Sequence, residues 1–157
     1  MTAQEVITAL QLEPLTMEGG YFRRNYCSQQ LTEAGKPMGT AIYYLMTPDS
    51  FSRLHKLPSD EVYHFYMGDP VELTVLFPDG SGKTVLLGND LTKGMVPQFC
   101  VPAHAWQGSC LSEGGAWALL GTTMAPGFTD DDFVPGDRGK LVEHYREFQE
   151  KIVQLTP

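Results

Sequence analysis

Three observations predict an all-β domain, a sandwich or barrel, with a short helix at each end. Most of the Gly and Pro residues fall between positions 19 and 136, where they separate short runs rich in Val, Tyr, Phe, Leu and Thr. Closely spaced short strands without helical patterns between them are the signature of a sandwich or barrel. Helical periodicity is confined to the two ends of the chain. At 157 residues, without linker, low-complexity segment or internal repeat, residues 1–157 are expected to form a single domain around one core.

The first helix begins at a capping box. Thr2 is followed three residues later by Glu5, and Val6, Ala9 and Leu10 supply an apolar stripe. The runs after it predict strands at Tyr21–Tyr26, Thr40–Met46, Ser52–Leu57, Glu61–Met67 and Val71–Phe77, then at Thr84–Leu87, Phe99–Val101, Trp106–Leu111 and Ala116–Met124. Gly19-Gly20 allow a tight approach to the first of these strands. Phe77-Pro78-Asp79-Gly80-Ser81-Gly82-Lys83 has the residues of a hairpin connection. Asp137 is placed to cap a last helix, on which Leu141, Tyr145, Phe148, Ile152 and Leu155 share one face. Glu147 and Lys151 stand four apart on its polar side, in the favourable order.

Composition removes several function classes. The net charge of -8 opposes binding to a phosphate backbone, which requires Lys and Arg, so no nucleic-acid partner is expected. No apolar run approaches the ~20 residues that span a bilayer, so no membrane partner is expected either. MTAQEVITAL lacks the basic start and apolar stretch of a signal peptide, which makes cytoplasmic location the expectation. Cys27, Cys100 and Cys110 are odd in number and widely spaced, and they read as free thiols. Asp130-Asp131-Asp132 reads as a solvated loop.

The stretch FSRLHKLPSDEVYHFYMG, residues 51 to 68, carries the candidate chemistry. Side chains alternate along a strand. If His55 faces the interior, Arg53, Phe51 and Leu57 go with it; if Glu61 faces inward, Tyr63 and Phe65 follow, while His64 and Tyr66 face away. A carboxyl beside an imidazole inside an aromatic-lined cavity is a pair whose protonation is set by burial and by each other. His55 is the candidate base, with Glu61 orienting it. Tyr63, Tyr44 or Tyr43 is the candidate donor, and Arg53 the candidate partner of an anionic group. Phe65, Gln98 and Gln107 complete the ligand-binding candidates. The same residues also suit duller roles: a satisfied buried His–Glu pair, barrel core for Tyr63 and Phe65, and strand-end hydrogen bonding for the two glutamines.

The spacing His55-x-Leu57-x3-Glu61-x6-Gly68 resembles the first motif of the cupin superfamily, G-x5-H-x-H-x3,4-E-x6-G, with Leu57 in place of the second His. The second cupin motif aligns on Gly94, Pro102, His104 and Gln107, with Gln107 where a metal-binding His would stand. The blocks EGGYFRRNY (18–26), AIYYLMTPDSFSRLHKLPSDEVYHFYMGDPVELTVL (41–76), VPQFCVPAHAWQG (96–108) and APGFTDDDFVPGDR (125–138) are similar to a family of short cupins of unknown function, from about residue 4 to 148. The resemblance implies a cupin-type double-stranded β-helix, a jelly-roll barrel, commonly a homodimer, related in fold to sugar-nucleotide epimerases. It also implies metal positions at His55, Leu57, Glu61 and Gln107. Leu57 cannot coordinate, so His55, Glu61 and Gln107 would remain as a weak set for a divalent metal, and metal-dependent chemistry is the minority expectation. The leading expectation is a pocket for a small-molecule ligand, run as a metal-independent sugar or organic-acid isomerase or epimerase. The alternatives are a non-catalytic metabolite-binding module and a weak metal-dependent enzyme.

Overall fold

A computed structural model describes residues 1–157. Helix α1 (Ala3–Leu10) starts at the Thr2–Glu5 box, with both reciprocal hydrogen bonds formed. Eleven strands follow: β1 (Glu13–Pro14), β2 (Tyr21–Cys27), β3 (Thr40–Met46), β4 (Ser52–Lys56), β5 (Glu61–Gly68), β6 (Val71–Leu76), β7 (Gly82–Leu87), β8 (Gln98–Val101), β9 (Trp106–Leu111), β10 (Ala118–Met124) and β11 (Val134–Pro135). They pair antiparallel in two sheets, ordered β1-β2-β3-β10-β5-β8 and β11-β4-β9-β6-β7. This is the jelly roll. β1 and β11, two residues each and containing Pro, are edge strands, the place where a missing N–H is tolerated.

The main core lies between the sheets, where Tyr44, Tyr63, Phe65, Leu73, Val75 and Leu120 interlock. α1 covers part of the outer face of the six-stranded sheet, over Leu45 and Leu119. The C-terminal segment covers the outer face of the five-stranded sheet, where Leu141, Tyr145, Ile152 and Leu155 pack on Leu54 and Leu76.

The expected C-terminal apolar face is buried as read, yet it is not one helix. α2 (Arg138–His144) starts at the Asp137 cap, a 3-10 turn spans Arg146–Phe148, and α3 (Gln149–Gln154) follows. Tyr145 leaves helical backbone at φ -122°, ψ 60°. Its hydroxyl donates to the Phe77 carbonyl at 2.9 Å, which anchors the break to the β6–β7 hairpin. With the chain re-aimed there, Lys151 pairs with Glu72 of β6 rather than with Glu147. No helix is long and apolar enough to cross a membrane.

Candidate active site between the sheets

A cavity of about 550 Å³ opens between the sheets. The six-stranded sheet contributes Phe22, Arg24, Ile42, Glu61 and Thr122; the five-stranded sheet contributes His55, with Leu57 just beyond β4. Residues 13–18 close one flank and Phe128, Asp130 and Phe133 the other.

A bulge in β4 decides which side chains reach this cavity. Ser52 lies opposite Ser109 and His55 opposite Gln107, so three steps on β4 match two on β9. The extra residue puts Ser52 and His55 on the same inner face. Leu54 turns to the core beneath the C-terminal helices. Arg53, expected inward beside His55, is displaced by the bulge. Its N–H donates to the Glu18 carbonyl at 2.9 Å and its guanidinium to the Met17 carbonyl at 3.4 Å. It does not line the cavity.

His55 is 1% exposed. Its Nδ1 lies 2.7 Å from the Arg53 carbonyl oxygen. A carbonyl only accepts, so Nδ1 carries the proton and Nε2 is the free, basic nitrogen. The ring stacks on Phe133, with centroids 4.9 Å apart and planes 20° from parallel. Burial pushes the imidazole below its ordinary 6.5, against the pull of Glu61 and the Arg53 carbonyl. His55 is therefore neutral at pH 7.

Glu61, at the start of β5, is 7% exposed, and its Oε2 is buried with no hydrogen-bond partner. Burial raises its carboxyl to about 7; the Glu18 charge adds to the rise, and His55, Thr122 and Gln107 oppose it. Glu18 is also raised to about 7 by burial, opposed by the Ser52 hydroxyl, which donates to Glu18 Oε1 at 2.5 Å. Two carboxyls poised near neutrality thus share the cavity with a neutral imidazole.

Glu18 went unnoticed as a site residue, although it opens the block EGGYFRRNY. The signal was in the glycines behind it. Gly19 has φ +109°, and a Cβ there would lie 2.2 Å from the Phe51 carbonyl oxygen. Only glycine lets the chain press against Phe51, the residue just before β4, and the close approach brings Glu18 to Ser52.

The other candidates take up different positions. Tyr63 is buried, but its hydroxyl donates to Gln107 Oε1 at 2.8 Å, and neither residue lines the cavity. Phe65 is in the core between the sheets. Gln98 is exposed on β8, opposite His64, on the outward face. Tyr44 donates to the Gly19 carbonyl at 2.9 Å. Tyr43 packs edge-on to Tyr66, 6.2 Å between centroids. None of the three tyrosines lines the cavity, which leaves the carboxyls as its candidate acids. Arg24, not singled out from the sequence, does line it.

The donor set does not fit a divalent metal. Leu57 offers no lone pair, the Gln107 amide oxygen is taken by Tyr63, and no group of three His, Cys, Asp or Glu side chains is placed to hold an ion. His55 and Glu61 alone are too few for a specific site.

Two facing antiparallel sheets in jelly-roll order thus flank an interior cavity. Residues 4–134 match the family described as Cupin superfamily (DUF985), and the chain belongs to it. A hypothetical protein from Leishmania major is 32% identical over 99% of both chains, with a TM-score of 0.91. A protein of Shewanella oneidensis is 31% identical over 100% of this chain and 98% of its own, with a TM-score of 0.93. An uncharacterised protein of Saccharomyces cerevisiae is 30% identical, covering 76% of this chain and 69% of its own. Oxalate decarboxylase from Bacillus subtilis shares the fold alone, at 14% identity over 88% of this chain and 35% of that one, with a TM-score of 0.58.

Proposed function

We propose that this cupin is an acid–base enzyme acting, without a metal, on a small polar molecule of the sugar or organic-acid kind, as an isomerase or epimerase. The observation that supports it is the free Nε2 of His55 in the same cavity as the unpartnered Glu61 Oε2. A neutral imidazole can accept a proton from a carbon next to a carbonyl. A carboxyl near 7 is protonated in part at neutral pH and can give its proton to the carbonyl oxygen. The product of these two transfers is an enediol. Return of the His55 proton to the neighbouring carbon, with the proton of the other enediol hydroxyl passing to Glu61, gives an isomer. Return to the original carbon after the enediol has turned its opposite face to His55, with the first hydroxyl proton passing back to Glu61, gives an epimer. Neither changes the composition. Groups whose protonation is matched to the working pH suit such transfers.

The test is proton exchange. The protein is incubated in D2O with aldoses, ketoses and hydroxy acids, and NMR follows deuterium entering carbon next to the carbonyl. His55→Asn abolishes the exchange, and Glu61→Gln slows it at least about 100-fold. Ligands that bind without exchange in the unmodified protein would instead make the cavity a metabolite-binding module.

A further inference from the structure

We infer that Arg24 holds an anionic group, so that the cavity takes a polyhydroxy compound carrying a phosphate or carboxylate at one end. The inference rests on the reading of this cavity as the substrate site, and it names the substrate class. On β2, Arg24 pairs in register with Ile42, a cavity residue. The bulge between Arg24 and Tyr26 ends the alternation there and leaves Tyr26 opposite Ala41, with its ring exposed.

The Arg24 guanidinium is available. Its one hydrogen bond to the protein is a long one from Nη2 to the Phe128 carbonyl, 3.3 Å, across the cavity flank. A guanidinium has five N–H donors in a fixed fork. No carboxylate pairs with it: the protein's ion pairs are Lys36–Asp132, Lys93–Asp90 and Lys151–Glu72. Glu13 and Asp130, the acidic groups at the rim, are exposed to solvent, as Arg24 itself is, and neither forms an ion pair with it. Arg23 also borders the cavity, but its guanidinium is turned to the Leu10 carbonyl at 3.2 Å. A phosphate or carboxylate matches the Arg24 fork by two parallel hydrogen bonds.

Glu61 stands on β5, three strands across the sheet from Arg24 on β2, and the chemistry at that end differs. His55 and Glu61 are buried there, and Glu61 Oε2 lacks a partner. A buried polar atom without a hydrogen bond is costly, and a ligand hydroxyl would satisfy it. Phe22, Ile42 and Phe128 provide apolar walls between the two ends. At about 550 Å³ the space is of ordinary size for a small-molecule site. A neutral sugar would use only the buried end; the anionic form uses both.

Calorimetry with inorganic phosphate, glucose 6-phosphate, gluconate and glucose tests this on the full chain. Glucose 6-phosphate or gluconate binds at least about tenfold tighter than glucose, a difference of about 1.4 kcal/mol, and inorganic phosphate competes. Preference between the two anions tells phosphate from carboxylate. Arg24→Gln removes the anion preference, and Arg24→Lys, which keeps charge without the fork, retains part of it; thermal unfolding confirms that both are folded. His55→Asn keeps the anion preference while losing exchange, so failure of the proposed catalysis and failure of the anion site give different results. Equal affinity for glucose and the anions, no binding of any probe, or an anion preference unchanged in Arg24→Gln would overturn the inference.

Discussion

The Ser52 hydroxyl donates to Glu18 Oε1 at 2.5 Å, tying the segment before β2 to the inner face of β4. This hydrogen bond exists because the β4 bulge turns Ser52 inward, opposite Ser109, and because Gly19 brings the preceding residue within reach. Ser52→Ala removes the donor from a buried carboxyl. The expected loss of stability is about 1–3 kcal/mol, larger at pH 8 than at pH 6, because the ionised carboxylate needs the donor more. Urea unfolding at both pH values measures it; equal losses would mean that Glu18 does not ionise in the folded protein.

The same pair of carboxyls sets a pH dependence. Glu18 and Glu61 move from an ordinary 4.5 to about 7 on folding. Between those values the folded chain holds protons that the unfolded chain has released, so stability falls as pH rises. Their contribution is complete below 4.5 and is lost as pH passes about 7. A shift of that size is worth about 3 kcal/mol for one group. His55, held below 6.5, works in the opposite direction, and its contribution is complete above 6.5. Unfolding free energies from pH 5 to 7.5, compared with a Glu18→Gln/Glu61→Gln variant, isolate the carboxyls. The unmodified protein loses stability relative to the variant across this window; parallel curves would refute the shifts.

Much of the architecture was legible because its signals are local. The Thr2–Glu5 box, the Asp79-Gly80 turn and the alternation of Glu61, Tyr63 and Phe65 each need only a few neighbouring residues, and each has its structural counterpart. The β4 face was misread at Arg53 because alternation assumes an unbroken ladder, and a bulge is set by the partner strand rather than by the bulged residues alone. Glu18 and Arg24 were missed for a related reason. Their places in the cavity come from a glycine pressed on a distant carbonyl and from a register between β2 and β3. The one-helix reading of the C-terminus failed at Tyr145, where a side-chain bond to Phe77 outweighs helical periodicity.

Tyr63 and Gln107 separate packing from catalysis. Tyr63→Phe keeps the ring between the sheets but leaves the buried Gln107 Oε1 without its donor. The expected cost is about 1–3 kcal/mol in stability. Neither residue lines the cavity, so ligand affinity changes by less than about threefold. Chemical unfolding and calorimetry on one preparation measure both. A large loss of affinity with unchanged stability would place the Tyr63 hydroxyl in the binding site after all.

Leu57 and Gln107 bear on whether the cavity can hold a metal. Leu57 stands in the cavity wall at the position where the cupin motif has its second imidazole, and Gln107 spends its amide oxygen on Tyr63. Leu57→His alone adds one ligand and leaves Gln107 engaged, so it is expected to gain only partial metal occupancy. Leu57→His combined with Gln107→His offers three imidazoles and a carboxylate, a set suited to a divalent transition metal. Elemental analysis of untagged protein prepared without chelator is expected to find well below one equivalent in the unmodified protein and near one in the double variant. X-ray absorption on the double variant should give metal–nitrogen distances of about 2.0–2.1 Å if zinc is bound. Near-stoichiometric metal in the unmodified protein, lost in His55→Ala, would show that His55 and Glu61 complete a metal site with help from groups outside the motif, and the metal-free proton-transfer route would then fall.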